Sequence, residues 1–293
     1  MGKLYVVSTP IGNLKDITLR AIEVLKTVDL ILCEDTRQSI KLLNHYDIKN
    51  KLESYHKFNE MEKTNKILKE LETKDIALIS DAGTPCVSDP GYILIKEARE
   101  NNIEVIPVGG ISACITALSV SGLDSNKFSF YGFFPRETKD KNKLIEELEK
   151  NPVNTLIFYE SPKRIINTLE YLYEKLGNIS ISVFSDLTKL HEKNYYGRIN
   201  KVINELKENP KSNLGEYTFI LAKGVKKEDE IQVSLEAQLI DIMIKNNITL
   251  KEAIAILNND SDISKKDIYN ASLNLKNIYY NYYDIVGDRK GCL

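Results

Sequence analysis

The chain has 293 residues, 42% apolar and 28% charged, a composition that sets aside disorder and leaves room for two domains with cores of their own. Lys and Arg number 40 against 42 Asp and Glu, so the net charge of −2 points to no nucleic-acid partner, and any such partner has to be gripped by a local basic patch. No apolar run approaches the ~20 residues of a membrane helix, the strand that begins after Met1-Gly2-Lys3 leaves no space for a signal peptide, and neither the cysteines (33, 86, 114, 292) nor the histidines (45, 56, 191) have metal-ligand spacing, so a cytoplasmic, metal-free protein is expected.

Leu4–Val7 is the first predicted strand and runs into Ser8-Thr9-Pro10-Ile11-Gly12-Asn13. Residues 17–28 follow as a helix with its apolar stripe at Ile17, Ala21, Val24, Leu25 and Val28. Leu30–Cys33 is a second strand, ending in Glu34-Asp35-Thr36-Arg37, and helices are predicted over 36–46 and 59–72. Ile76, Ala77, Leu78 and Ile79 form a run without alternation, as in a strand buried on both faces of a parallel sheet. It stops at Asp81, and Gly83, Pro85, Pro90 and Gly91 then forbid regular structure until a helix resumes at about Tyr92. A strand over 103–107 precedes Gly109-Gly110-Ile111-Ser112-Ala113 and a helix of small residues over 112–120. This alternation implies a parallel α/β layer. Ligands bind such sheets beyond the carboxyl ends of the strands, and four strand ends here carry small or charged residues. One such loop is equally a plain connection; four together predict a ligand cleft.

A linker at 121–125 precedes a second α/β unit with strands at 128–132, 155–159, 179–184 and 217–222. Its helices are predicted at 138–150, 162–176 and 199–208, with Pro162 in a first turn where a missing N–H costs nothing. Beyond Val233 no strand signal remains. Thr249-Leu250-Lys251-Glu252 and Ser264-Lys265-Lys266-Asp267 read as helix-starting capping boxes for short helices at 251–258 and 265–275. That pair fits a helix-turn-helix-like module or a helical cap, and nine Lys and Arg against eleven Asp and Glu over 225–293 do not favour RNA. The aromatic run at 279–283 suits base stacking or burial against the cap.

Together these segments resemble the tetrapyrrole methylase superfamily, and within it the bacterial enzymes that methylate the 2′-hydroxyl of a decoding-centre cytidine in 16S rRNA. The carriers are STPIGNLKDITLRA (8–21), CEDTR (33–37), LLNHY (42–46), SDAGTPCVSDPG (80–91), GGISACITAL (109–118), GFFPR (132–136), FYESPKRI (158–165), LTKLHE (187–192) and GEYTFILAKG (215–224). They follow the family order over about three-quarters of the chain. CEDTR, SDAGTP and YESPKR are specific to the rRNA branch, and the C-terminal segment is similar to the helical module appended there. Where the family carries Arg-Glu before LTKLHE, this chain has Ser185-Asp186, one cation fewer for RNA backbone binding.

The resemblance implies two α/β domains (1–121 and 122–228) with S-adenosylmethionine (SAM) in the cleft between them, a C-terminal helical module (229–293) and a homodimer. Carried over by motif, the SAM residues are Ile11, Gly12, Asp81, Gly83, Thr84, Ser112, Ala113 and Tyr159, and the RNA contacts Lys163, Arg164 and Lys189. Methyl transfer from a sulfonium is an in-line displacement, so alignment dominates. A ribose hydroxyl also has to lose its proton, which calls for a general base. Glu34 and Asp35 are the candidates, with Arg37 to steer phosphate or balance their charge. The alternative for these three residues is an ion pair plus a helix cap, and for Lys163 and Arg164 a solvated helix face. A Rossmann enzyme is set aside because STPIGN lacks the GxGxxG glycines. A porphyrin or diphthamide methylase, or a non-catalytic RNA-binding assembly factor, stays open.

Overall fold

In the computed structural model, which describes residues 1–223, 234–260 and 264–286, the first sheet is parallel throughout. Its strands are β1 (Lys3–Val7), β2 (Leu30–Cys33), β3 (Leu52–Ser54), β4 (Ile76–Leu78) and β5 (Glu104–Val108), in the order β3-β2-β4-β1-β5. Double-sided burial explains the runs without alternation. Leu30, Leu32, Ile76 and Leu78 pack with α3 (Glu60–Glu70) and α4 (Tyr92–Glu100), whereas Ile31, Cys33, Ala77 and Ile79 pack with α1 (Leu19–Thr27) and α2 (Thr36–His45). The side chains of Thr18 and Asp35 start α1 and α2 by accepting the backbone N–H of Ala21 and Arg37.

Helix α5 (Ala113–Val120) leaves this layering. Its Cys114, Ala117 and Leu118 pack on Ile157, Phe184 and Ile220 of the second sheet, with Ile11 and Leu187 completing the cluster. Though it follows β5 of the first sheet, it packs on the second.

The second sheet is mixed. Its order is β6 (Phe128–Phe133), β7 (Thr155–Glu160), β10 (Tyr217–Ala222), β8 (Ser180–Ser185), β9 (Lys193–Arg198); β6 and β7 are parallel and the other pairs antiparallel. Helices α6 (Thr138–Lys150), α7 (Ile165–Leu176) and α8 (Ile199–Glu208) bury Leu156, Phe158, Phe219 and Leu221 on the face away from α5. Strand β9 escaped the sequence reading because it is an edge strand with Tyr195 as its one buried residue. The predicted helix start at Pro162 is also corrected. Pro162 lies in a turn closed by the Ser161 carbonyl, which accepts the N–H groups of Arg164 and Ile165 at 3.0 and 3.2 Å, and α7 begins at Ile165.

The two sheets belong to one compact unit and the C-terminal helices to another. The expected 121/122 boundary falls in the connection between α5 and β6, and the 228/229 boundary lies outside the described residues. Among the described residues the second unit has three helices, not two: α9 (Leu235–Asn246), α10 (Leu250–Asp260) and α11 (Lys265–Val286). Leu239, Ala253, Leu257, Ile268 and Ala271 form its core. Thr249 and Glu252 make the predicted capping box, the Glu252 carboxylate accepting the Thr249 N–H at 2.9 Å. The aromatic run at 279–283 shares the α11 backbone, but its side chains lie outside the described residues.

Candidate active site

The loops after β1 and β4 are stitched to each other. Thr9 and Gly83 exchange both backbone hydrogen bonds, at 2.8 and 3.0 Å, and the Thr9 hydroxyl donates to the Ser80 carbonyl at 3.0 Å. The hydroxyls of Ser8 and Thr84 are 3.1 Å apart. Gly83 has φ +84°, in the left-handed region, where an added Cβ would also meet Ile11 at 3.4 Å. Glycine is therefore the unstrained residue there. Farther along, Cys86 and Ser88 hold φ +69° and +67°, two strained residues in the stretch that returns Ser88 and Asp89 to the site.

The second sheet supplies an aromatic wall. The register of β6 on β7 shifts between Phe130 and Phe133, with Gly132 at φ +69°, and this bulge re-aims the end of β6. The Tyr159 ring contacts Phe130 and Phe133 edge-on, at centroid distances of 4.9 and 5.7 Å. Its hydroxyl accepts the Cys114 N–H at 3.2 Å, and burial pushes its pKa up to about 12. It is a protonated hydroxyl at neutral pH.

Between these walls lies a cavity of about 400 Å³. Ile11, Asp81, Gly83, Thr84, Ser112, Ala113 and Tyr159 all line it. Gly12 does not: the Lys189 side chain packs where its Cβ would stand. The volume suits a small cofactor, and the walls combine apolar surface with a few placed polar groups. Ser112 N-caps α5 without a side-chain cap bond; with the Cys114 N–H given to Tyr159, the Ala113 and Ile115 N–H groups of the first turn are left for an acceptor beside the cavity.

Glu34, Asp35 and Arg37 stand outside this lining. Asp35 caps α2 and pairs with Arg37 through Nε at 3.0 Å and Nη2 at 2.7 Å. These bonds hold its carboxyl at a pKa of about 2, which makes it a poor base. Asp35 also reaches the cavity rim, its N–H donating to Asp81 Oδ1 at 3.1 Å. The pKa of Glu34 is raised by burial and then by the Asp81 carboxylate. Asp89, which the sequence reading did not single out, lines the cavity. Burial first, then the carboxylates of Glu34 and Asp81, push its pKa up to about 7. Its sequence context, Ser-Asp-Pro-Gly, reads as a turn. What distinguishes it is the company of residues 8 and 55 positions away.

Two of the three expected RNA cations are already engaged. Arg164 folds onto the buried carboxylate of Glu160 and donates to the Phe134 carbonyl at 3.1 Å and the Ser161 hydroxyl at 3.1 Å. Lys189 bridges Asp186 and Glu216, both at 2.9 Å. To meet RNA phosphate, these two would have to exchange carboxylate partners within the chain. Lys163 is exposed. Among the described residues no helix is long and apolar enough to cross a membrane.

A parallel sheet joined through a helix to a mixed sheet, with a cofactor-sized cavity at the junction, defines a two-sheet α/β architecture shared with solved structures. Uroporphyrin-III-C-methyltransferase from Thermus thermophilus superposes with a TM-score of 0.52 at 18% identity, covering 76% of this chain and 95% of that one. Diphthine synthase superposes at 0.62 with 13% identity, covering 76% and 90%. These likenesses establish the fold. The model of the tetrapyrrole (corrin/porphyrin) methylases matches residues 3–203. Relatives called ribosomal RNA small subunit methyltransferase I are 42% identical in Halalkalibacterium halodurans (92% of this chain, 94% of that one) and 39% identical in Escherichia coli O157:H7 (93% and 95%). In Thermotoga maritima the identity is 43% over 223 residues, 76% of this chain but 99% of the relative. The chain belongs to the tetrapyrrole methylase family, on the branch of these ribosomal RNA small subunit methyltransferase I proteins.

Proposed function

We propose that the protein transfers a methyl group from SAM to the ribose 2′-hydroxyl of a decoding-centre cytidine in 16S rRNA. One observation carries the reading. The cavity at the sheet junction is lined by the motif residues Gly83, Thr84, Ser112, Ala113 and Tyr159, in a chain about 40% identical to relatives named for methylating small-subunit rRNA. The residues fit SAM. Gly83 keeps side-chain bulk out of the cavity, and the α5 N-terminus with Thr84 offers donors and hydroxyls for the amino-acid and ribose groups. The Tyr159–Phe133 wall offers apolar surface to the adenine, and Ile11 and Asp81 close the first-sheet side. The bound sulfonium supplies the electrophilic methyl group; the protein's task is alignment.

In this reading Glu34 and Arg37, beyond Asp81, form the acceptor side, and exposed Lys163 is the second-sheet cation for phosphate. The porphyrin and diphthamide alternatives rest on fold likeness at 18% and 13% identity, against about 40% for the rRNA relatives. A near-neutral chain attracts phosphate weakly, so folded RNA shape supplies recognition, and the enzyme acts in the cytoplasm as a homodimer on the small subunit or a late precursor. The test is mass mapping of methylated nucleosides in 16S rRNA from cells lacking the protein, repeated after purified protein and SAM are added to their small subunits. A cytidine ribose methyl that is lost and then restored is expected. Its persistence in the deletion strain, or faster methylation of a short oligonucleotide than of the subunit, overturns the reading.

A further inference from the structure

Among the described residues, the cavity walls contain six titratable side chains: Asp81, Asp89, Tyr159, Glu160, Glu216 and Tyr217. Five are committed elsewhere or unsuited to take a proton. Glu160 accepts the Ser161 N–H at 2.6 Å and the Thr168 hydroxyl at 2.7 Å, and it also holds Arg164. Glu216 is ion-paired to Lys189, and Tyr217 donates to the Ser212 carbonyl at 3.0 Å. Tyr159 stays protonated against the α5 N-terminus. Asp81 is exposed to solvent and accepts the Asp35 N–H.

Asp89 is different. It is half-buried, and its position is fixed by left-handed Ser88 on one side and Pro90, which restrains the residue before it, on the other. The groups facing it are Ser80 and Asp81 from the loop after β4, Glu34 from the end of β2, Cys86 from its own loop and Tyr159 from β7. None is a cation that would hold the carboxylate charged.

On the functional reading above, we propose that Asp89 is the general base of the methyl transfer, accepting the proton of the acceptor hydroxyl as that oxygen attacks. The acceptor O–H bond breaks and its proton passes to an Asp89 carboxylate oxygen. The oxygen forms its bond to the methyl carbon while the methyl–sulfur bond breaks, its electron pair staying on sulfur to leave the neutral thioether. Asp89 then returns its proton to water. Burial and the two like charges hold the group near neutrality, where a base is both ionised and strong enough to act.

The test compares wild type with D89N and D89E on small subunits, with the product digested and the methylated nucleoside identified by mass. D89N should lower kcat by roughly 100-fold or more, keep SAM affinity by calorimetry, and keep the wild-type circular dichroism. D89E should recover part of the rate. In wild type, kcat should climb with pH to a plateau above an apparent pKa of about 7, and D89N should lose that limb. A readout independent of turnover is the carbon NMR titration of the Asp89 carboxyl in the cofactor-free protein, with its midpoint expected near 7. A ribose methyl formed at near-wild-type rate by D89N overturns the role of Asp89 alone. Parallel loss of SAM binding also overturns it, since Asp89 would then be holding cofactor. A methyl found on a base removes the functional reading and this proposal together.

Discussion

Arg164 folds back onto Glu160, a carboxylate whose side chain has no exposed surface, and from there it also holds the Phe134 carbonyl at the end of β6. The pair ties the end of β7 to the aromatic wall of the cavity. Removing one partner of a buried ion pair leaves the other charge uncompensated. Arg164→Ala should therefore cost about 3–5 kcal/mol in urea unfolding at neutral pH. An unchanged midpoint would mean that Arg164 serves solvent or RNA and not the fold.

Gly83 sits at φ +84° beside Ile11. Gly83→Ala should destabilise by about 1–2 kcal/mol, the usual penalty of a left-handed L-residue. Gly83→Val should go further and weaken SAM binding by about tenfold or more, as a loss of 1.4 kcal/mol or more would. Calorimetry checks this, with circular dichroism to show that the fold persists. Full affinity in the valine variant would detach this loop from the cofactor.

Asp35 carries a pH signature. Its folded pKa, about 2, lies below the ordinary 3.8, because Arg37 hydrogen-bonds its charged form. A depressed folded value contributes stability above the unfolded pKa that is lost as pH falls from about 4 to 2. Asp35→Asn should flatten that acid limb of the stability curve, read by urea unfolding across pH 2–5. At neutral pH both Asp35→Asn and Arg37→Ala should leave SAM affinity intact, since both residues stand outside the cavity lining, while lowering turnover, since Asp35 holds Arg37 on the acceptor side.

The three expected RNA cations should separate by salt dependence. Lys189 is already shared between Asp186 and Glu216, whereas Lys163 is exposed. Lys163→Gln should reduce the log–log salt slope of subunit binding by about one. Lys189→Gln should leave the slope unchanged. Equal effects from both would show that Lys189 exchanges its carboxylates for phosphate.

Among the described residues, all those lining the cavity precede the C-terminal helical unit, and the Thermotoga maritima relative is covered to 99% by a 223-residue match. A chain ending at residue 224 should therefore bind SAM with the affinity of the full protein, measured by calorimetry. Loss of binding in a folded truncation would make the helical unit part of the cofactor site.

The strand-end loops were legible because their physics is local. A strand buried on both faces needs an unbroken apolar run, and a backbone that turns sharply against a ligand needs glycine and proline, so STPIGN and SDAGTP stand out in a bare string. The capping box at Thr249 and Glu252 is local in the same way. Strand β9 was not legible, since an edge strand buries too little to show a pattern, and α5 gave no hint of which sheet it would cover.

The fates of individual charges were beyond the sequence altogether. Arg164 and Lys189 look like open cations until Glu160 and Glu216 are placed beside them. Asp89 looks like a turn residue until Glu34 and Asp81 are set against it. The sequence by itself determined where the chain could turn closely enough to admit a ligand, because that depends on each residue's own φ and bulk. Only the tertiary structure decided which charges were spent and which carboxylate was left near neutrality, because burial and Coulomb energy depend on neighbours brought together from distant parts of the chain.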